Sequence, residues 1–200
     1  MTHHLYQPLP PHRMERGTRY FRPKQGLPWR VTLDDPALSV MTDLSQVTAF
    51  IVELSTPLDK GLEIMIKRGI RILLVCDADD NIIGLLTSRD IAGDKPHRIL
   101  AKAGGVQADL RVSDVMTLRP KLDVLSMEDV RRARVGDLIA TPRQVDRQHA
   151  LVLDRDPETG KSAVRGIFSL SQISLRLGLN IDPSRQVTLY ADFEKAGGTL

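Results

Sequence analysis

One strand-to-helix corner is written twice in this chain. Residues 84–91 read GLLTSRDI and residues 166–173 read GIFSLSQI: glycine, an apolar pair, a hydroxyl, then a polar step into a helix. Two further segments echo in the same order. ALSVMTDL (37–44) resembles RVSDVMTL (111–118) and aligns Met41 with Met116, while RILLVCD (71–77) resembles QHALVLD (148–154) and aligns Val75 with Val152. Random similarity does not preserve order, so a unit of about 70 residues is duplicated with small insertions.

The first copy reads as strand, helix, strand, strand, helix. In PLDKGLEIMIKRG (57–69), Leu58, Leu62, Met65 and Ile66 share a helical face and Gly69 supplies a stop. IRILLVCD is short and rich in β-branched residues, a buried strand. DADDN is a turn, and IIGLLT returns as the second strand of a hairpin. In the second copy the hairpin connection is longer, and Pro142 stands where the first copy has Met65, so its helix should kink or start late. Each copy alone has too few apolar positions for its own core, although 42% of the chain is apolar. The expectation is one α+β module of two β-α-β-β-α repeats packed face to face. The boundaries expected are a basic, proline-rich leader over 1–33, repeats over 34–108 and 109–180, and a C-terminal tail over 181–200, where Leu189, Tyr190 and Phe193 would dock or fray.

The net charge of +3 is unevenly placed. Arg13, Arg16, Arg19, Arg22, Lys24 and Arg30 face only Glu15 in the leader, and the rest of the chain has a small acidic excess. The leader's prolines exclude a long helix and predict disorder to about residue 25. It lacks a secretory apolar core, and no apolar run approaches the roughly 20 residues that span a bilayer. A single cysteine, Cys76, excludes an internal disulfide, and no cysteine or histidine cluster points to a metal. These features predict a soluble cytoplasmic protein that makes no membrane contact.

Two readings fit the repeated corner. Thr87 with Asp90, and Ser169 with Gln172, have the spacing of a capping box, which needs no ligand. The same geometry suits a nucleotide: free helix N–H groups and a hydroxyl for phosphate, an aspartate for a ribose diol, Arg89 for charge, and Gly84 for close approach. VMT ahead of each copy, STPLDKGLEIMIKRGIRILLVCD and GLLTSRDI together resemble the cystathionine β-synthase (CBS) domain, which occurs in tandem pairs; the resemblance covers about residues 36–178. It implies repeats packed through their sheets about a pseudo-twofold axis, with clefts for adenosine-containing ligands that regulate an attached or partner activity. It gives Thr87 and Asp90 contacts to phosphate and ribose in one cleft, and Ser169 and Gln172 those positions in the other. Gln172 is a departure, because an amide cannot accept from both ribose hydroxyls as a carboxylate does. The second cleft is therefore weaker, differently selective or structural.

Other features carry less. Arg71 opens a buried strand and points either at the cleft or along the sheet edge. His149 stands at the matching edge, and Lys95, in the helix-breaking GDKP, is a phosphate ligand or a solvated loop residue. DPETGKSA (156–163) ends like a phosphate-binding loop but has Arg155 where the leading glycine belongs, so it reads as a hairpin tip. RRAR (131–134) reads as a solvated charged face. With no paired nucleophile and base, the chain reads as a binding module that is not an enzyme and needs no cofactor. AMP, ADP or ATP is the expected regulatory ligand, alongside homodimerisation and an unknown regulated partner. The alternative is nucleic-acid binding by the leader, where Tyr20, Phe21 and Trp29 interleave with arginines; the acidic remainder makes nucleic acid a poor partner.

Overall fold

The computed structural model describes residues 26–122, 124–141 and 148–179. Its first repeat contains β1 (Thr42–Asp43), β2 (Ile51–Glu53), α1 (Leu58–Arg68), β3 (Ile72–Cys76), β4 (Ile82–Thr87), α2 (Ser88–Ala92) and α3 (Asp94–Ala103). The second contains α4 (Val112–Val115), β5 (Thr117–Leu118), β6 (Val124–Ser126), α5 (Met127–Arg132), α6 (Val135–Ala140), β7 (His149–Arg155), β8 (Ser162–Ser169) and α7 (Leu170–Arg176). The strands form two four-stranded sheets, ordered β2-β3-β4-β5 and β1-β8-β7-β6.

Strand alternation sends each sheet's side chains two ways. Leu73, Val75 and Leu86 join Leu58 and Met65 of α1 in one core; Ala150, Val152 and Phe168 join Val135 and Leu138 of α6 in a second. The opposite faces meet each other. Leu74 and Leu85 pack with Leu151 in a third cluster, bordered by Val164 and Ile167, so the repeats do pack through their sheets.

The two VMT segments exchange places. β1, from the first repeat, pairs antiparallel with β8, and β5, from the second, pairs antiparallel with β4. Leu110, Val112, Val115 and Met116 complete the first repeat's core, and Val31, Ala37, Val40 and Met41 complete the second's. The backbone follows the same rule in both directions. Leu58 N–H donates to Leu110 O and Val112 N–H to Thr56 O, each at 2.9 Å; Val135 N–H donates to Asp35 O and Ala37 N–H to Ala133 O, also at 2.9 Å. Hydrogen bonding and core thus cross the boundary between 34–108 and 109–180 reciprocally. Val31, inside the span read as leader, is buried in the second core and donates its N–H to Arg176 O at 3.0 Å.

Three local expectations change. Ile66 is 72% exposed, because the buried face of α1 is centred on Leu58, Gly61 and Met65, and Ile66 lies about 100° round the helix from it. Gly69 does end α1, left-handed at φ 63°. The second hairpin's extra length lies in its strands rather than its turn: pairing runs out to Arg155–Ser162, leaving six residues, against five between Cys76 and Ile82. Its tip holds the phosphate-loop look-alike, with Gly160 at φ 68° and Ser162 opening a strand. GDKP ends α2 at Gly93, yet the helix resumes as α3, with Pro96 in the first turn, where a missing N–H breaks no helical bond. The RRAR arginines lie on exposed ion pairs: Arg131 with Asp154, Arg132 with Glu128 and Asp129, Arg134 with Asp34. Cys76 is buried at the end of β3, where desolvation pushes its thiol pKa up. The expected kink at Pro142, the leader before residue 26 and the tail beyond 179 lie outside the described residues.

Candidate functional site

The first corner forms where β4 runs into α2. Thr87 is extended, at φ −114°, and its hydroxyl oxygen accepts from Asp90 N–H at 3.2 Å. Asp90 Oδ2 in turn accepts from Thr87 N–H at 2.9 Å and from the Thr87 hydroxyl at 2.7 Å. The capping box is therefore complete, and the threonine's own proton is used inside it. Asp90 Oδ1 faces away from the box and meets Lys95 Nζ at 3.4 Å. Lys95 is neither a solvated loop residue nor free for a phosphate. Its ammonium also donates to Met116 O at 3.0 Å and to Val115 O.

The second corner is built differently. Ser169 makes no capping bond from its side chain; its hydroxyl lies 3.1 Å from Ser171 Oγ. Gln172 is exposed and does not close a box, so the capping expectation fails here. Arg71 reaches across from the first repeat, and its Nη2 donates to Ser171 Oγ at 3.2 Å. Arg71, Ser169 and Ser171 are thus one cluster shared by both repeats. Arg89 is half-buried on α2, and His149 half-buried at the start of β7, opposite Ser169.

Gly84 makes room for the other repeat's segment. A Cβ there would stand 2.7 Å from Thr117 O and 3.0 Å from Met116 Sδ, so the close approach it permits is that of the exchanged segment. Gly166 does the same for Met41, whose Sδ a Cβ would overlap. The sequence echoes between the two methionines and the two glycines are, in space, two cross-repeat contacts.

Residues 39–94 match the CBS domain family. That stretch spans the first repeat from its VMT segment through the corner, and the same elements recur around the second sheet. The first repeat is similar to a CBS domain, and the second repeats its fold.

No curated protein matches the chain. An uncharacterised conserved protein from Pyrococcus horikoshii shares the fold, with TM-score 0.52 and 20% identity over 76% of this chain and 98% of that one. A CBS domain protein of Thermoplasma acidophilum aligns over 77% of each chain at 18% identity and TM-score 0.48. CBSX2, solved in complex with AMP, aligns over 70% of this chain and 93% of its own at 20% identity and TM-score 0.45.

Within this pair of repeats, one polar centre had no sequence signal beyond its place after VMT. Asp43, buried beside β8, takes a bidentate pair from Arg165, with Nε at 2.7 Å and Nη2 at 3.0 Å. Ser45 adds its N–H at 2.9 Å and its hydroxyl at 2.7 Å, and Gln46 Nε2 lies at 3.2 Å. The Arg165 bonds outweigh burial and hold the Asp43 carboxyl far below the usual range. This centre ties the exchanged segment to the second sheet. Ser171 is the other engaged residue that spacing gave no reason to group with a corner.

Proposed function

We propose that this CBS pair is a regulatory binding module for adenine nucleotides, without catalytic activity of its own, acting on an unidentified partner in the cytoplasm. The observation that carries the reading is the Thr87–Asp90 corner inside the stretch that matches the family, with one carboxylate oxygen turned away from the capping box. A ribose diol needs a strong acceptor, and Asp90 Oδ1 is one. Arg71, Ser169 and Ser171 would serve phosphate at the second corner, where Gln172 leaves the sugar poorly held. Arg89 adds charge at the first corner. AMP, ADP and ATP share the chemistry that this arrangement reads. Among the described residues no helix is long and apolar enough to cross a membrane.

Calorimetry of the whole chain with each nucleotide tests the reading, with Asp90→Asn as control. The amide loses a charge-assisted acceptor, worth roughly 1.5 to 3 kcal/mol, so affinity should fall about tenfold to a hundredfold. Unchanged affinity in that variant would remove Asp90 from the site. Homodimerisation belongs to the same reading, since α1 leaves Ile66 exposed beside half-buried Leu62. Sedimentation at tens of micromolar, roughly where weak dimers assemble, should give a dimer; a monomer with and without nucleotide would reject it.

A further inference from the structure

Lys95 sits where three demands meet. Its ammonium has three N–H donors, and three acceptors surround it: Asp90 Oδ1 at 3.4 Å, Met116 O at 3.0 Å and Val115 O. The two carbonyls end α4 and lead into β5, so the lysine caps the helix of the exchanged segment while neutralising the first corner's acid. Asp90 is 16% exposed on its side chain and Lys95 36%, so neither charge is fully solvated.

We propose that Lys95 is a positioning residue that sets the affinity of the first corner and couples its occupation to the exchanged segment 112–118. Asp90 Oδ2 is committed to Thr87 N–H and the Thr87 hydroxyl, which leaves Oδ1 as the oxygen that an incoming donor must use. That oxygen is the one Lys95 touches, and the 3.4 Å contact yields before the bond to Met116 O at 3.0 Å. A sugar hydroxyl arriving at Oδ1 competes with the ammonium and turns it toward the carbonyls of the exchanged segment. The ligand then favours the arrangement in which Lys95 grips that segment alone, and this difference between two states is what a binding signal requires. The proposal rests on the nucleotide reading of the corner, and its test separates the two.

Lys95→Met keeps most of the side chain's volume and removes the charge. In whole-chain calorimetry, nucleotide affinity should rise about two- to fivefold, the size of a partly exposed ion pair. In the same variant without ligand, amide exchange at Met116 to Leu118 should accelerate and the melting temperature fall. Tighter binding with weaker packing is a combination that a purely structural lysine does not produce. Affinity unchanged or reduced in Lys95→Met overturns the proposal, a reduction pointing to direct phosphate contact. If the unaltered protein binds no adenine nucleotide, the functional reading fails first. The exchange measurement then decides the lysine's part, and unaltered protection at 116–118 rejects it.

Discussion

Asp43 and Asp90 are both engaged carboxylates, and they differ in what holds them. Asp90 is held by its own helix cap and one lysine, whereas Asp43 is buried under a bidentate arginine from the other repeat. The Asp43 pair makes stability depend on pH with a definite sign. Its folded pKa lies well below the unfolded value of about 3.9, so its contribution is present above that value and is lost as pH falls toward the folded one. Asp43→Asn should cost about 2 kcal/mol at pH 7, as expected for charge-assisted bonds with a partly exposed partner. Denaturant midpoints of the two proteins should converge as the pH drops below about 4. A gap that stays constant down to pH 2.5, roughly a unit or more below the unfolded pKa, would assign the cost to packing instead. The two corner hydroxyls also part company. Thr87→Ala should cost about 1 kcal/mol in chemical denaturation and Ser169→Ala only a few tenths, because only Thr87 accepts from a helix N–H.

At the scale of elements, what could be read in the sequence was what depends on neighbours along the chain. The α1 stop at Gly69, the buried apolar run of β3, the hairpin turns and the Thr87–Asp90 spacing are local, and all appear in the structure. Pairing of β5 with β4, Lys95 beneath α4, and Arg71 against Ser171 join residues far apart in sequence, and no periodicity encodes them. Gly84 shows the difference well: the repeat marked it, but only the sheet reveals that Met116 and Thr117 fill its space. Both notch glycines can be tested by substitution and rescue. Gly84→Ala and Gly166→Ala should each cost about 1 to 3 kcal/mol as overpacking. Shortening the intruding side chain should recover much of the loss in Gly166→Ala with Met41→Val, since the obstacle there is a thioether. Met116→Val should not rescue Gly84→Ala, because the backbone oxygen of Thr117 still stands 2.7 Å away. Equal rescue at both sites in thermal melts would mean that β5 shifts freely, contrary to the packing described here.

Because each repeat finishes the other, the whole molecule should unfold as one cooperative unit. The loop at Gly104 and Gly105 lies exposed between them, so a protease site placed there cuts the chain between its repeats. After the cut, the first piece lacks Leu110, Val112, Val115 and Met116, and the second lacks Val31, Ala37, Val40 and Met41. Burying one large apolar side chain is worth roughly 1.5 to 3 kcal/mol, so the first piece loses about 6 to 12 and the second, with three large side chains and Ala37, at least about 4.5 to 9, comparable with the roughly 5 to 15 that holds a domain together. The face between the sheets, built on Leu74, Leu85 and Leu151, is lost as well. The nicked protein should therefore elute as one species in gel filtration and melt in one transition. Pieces separated in denaturant should stay unfolded alone and regain helix and sheet when mixed in equal amounts. If either piece folds alone with a cooperative transition, the exchanged segments are decoration and the repeats are independent domains.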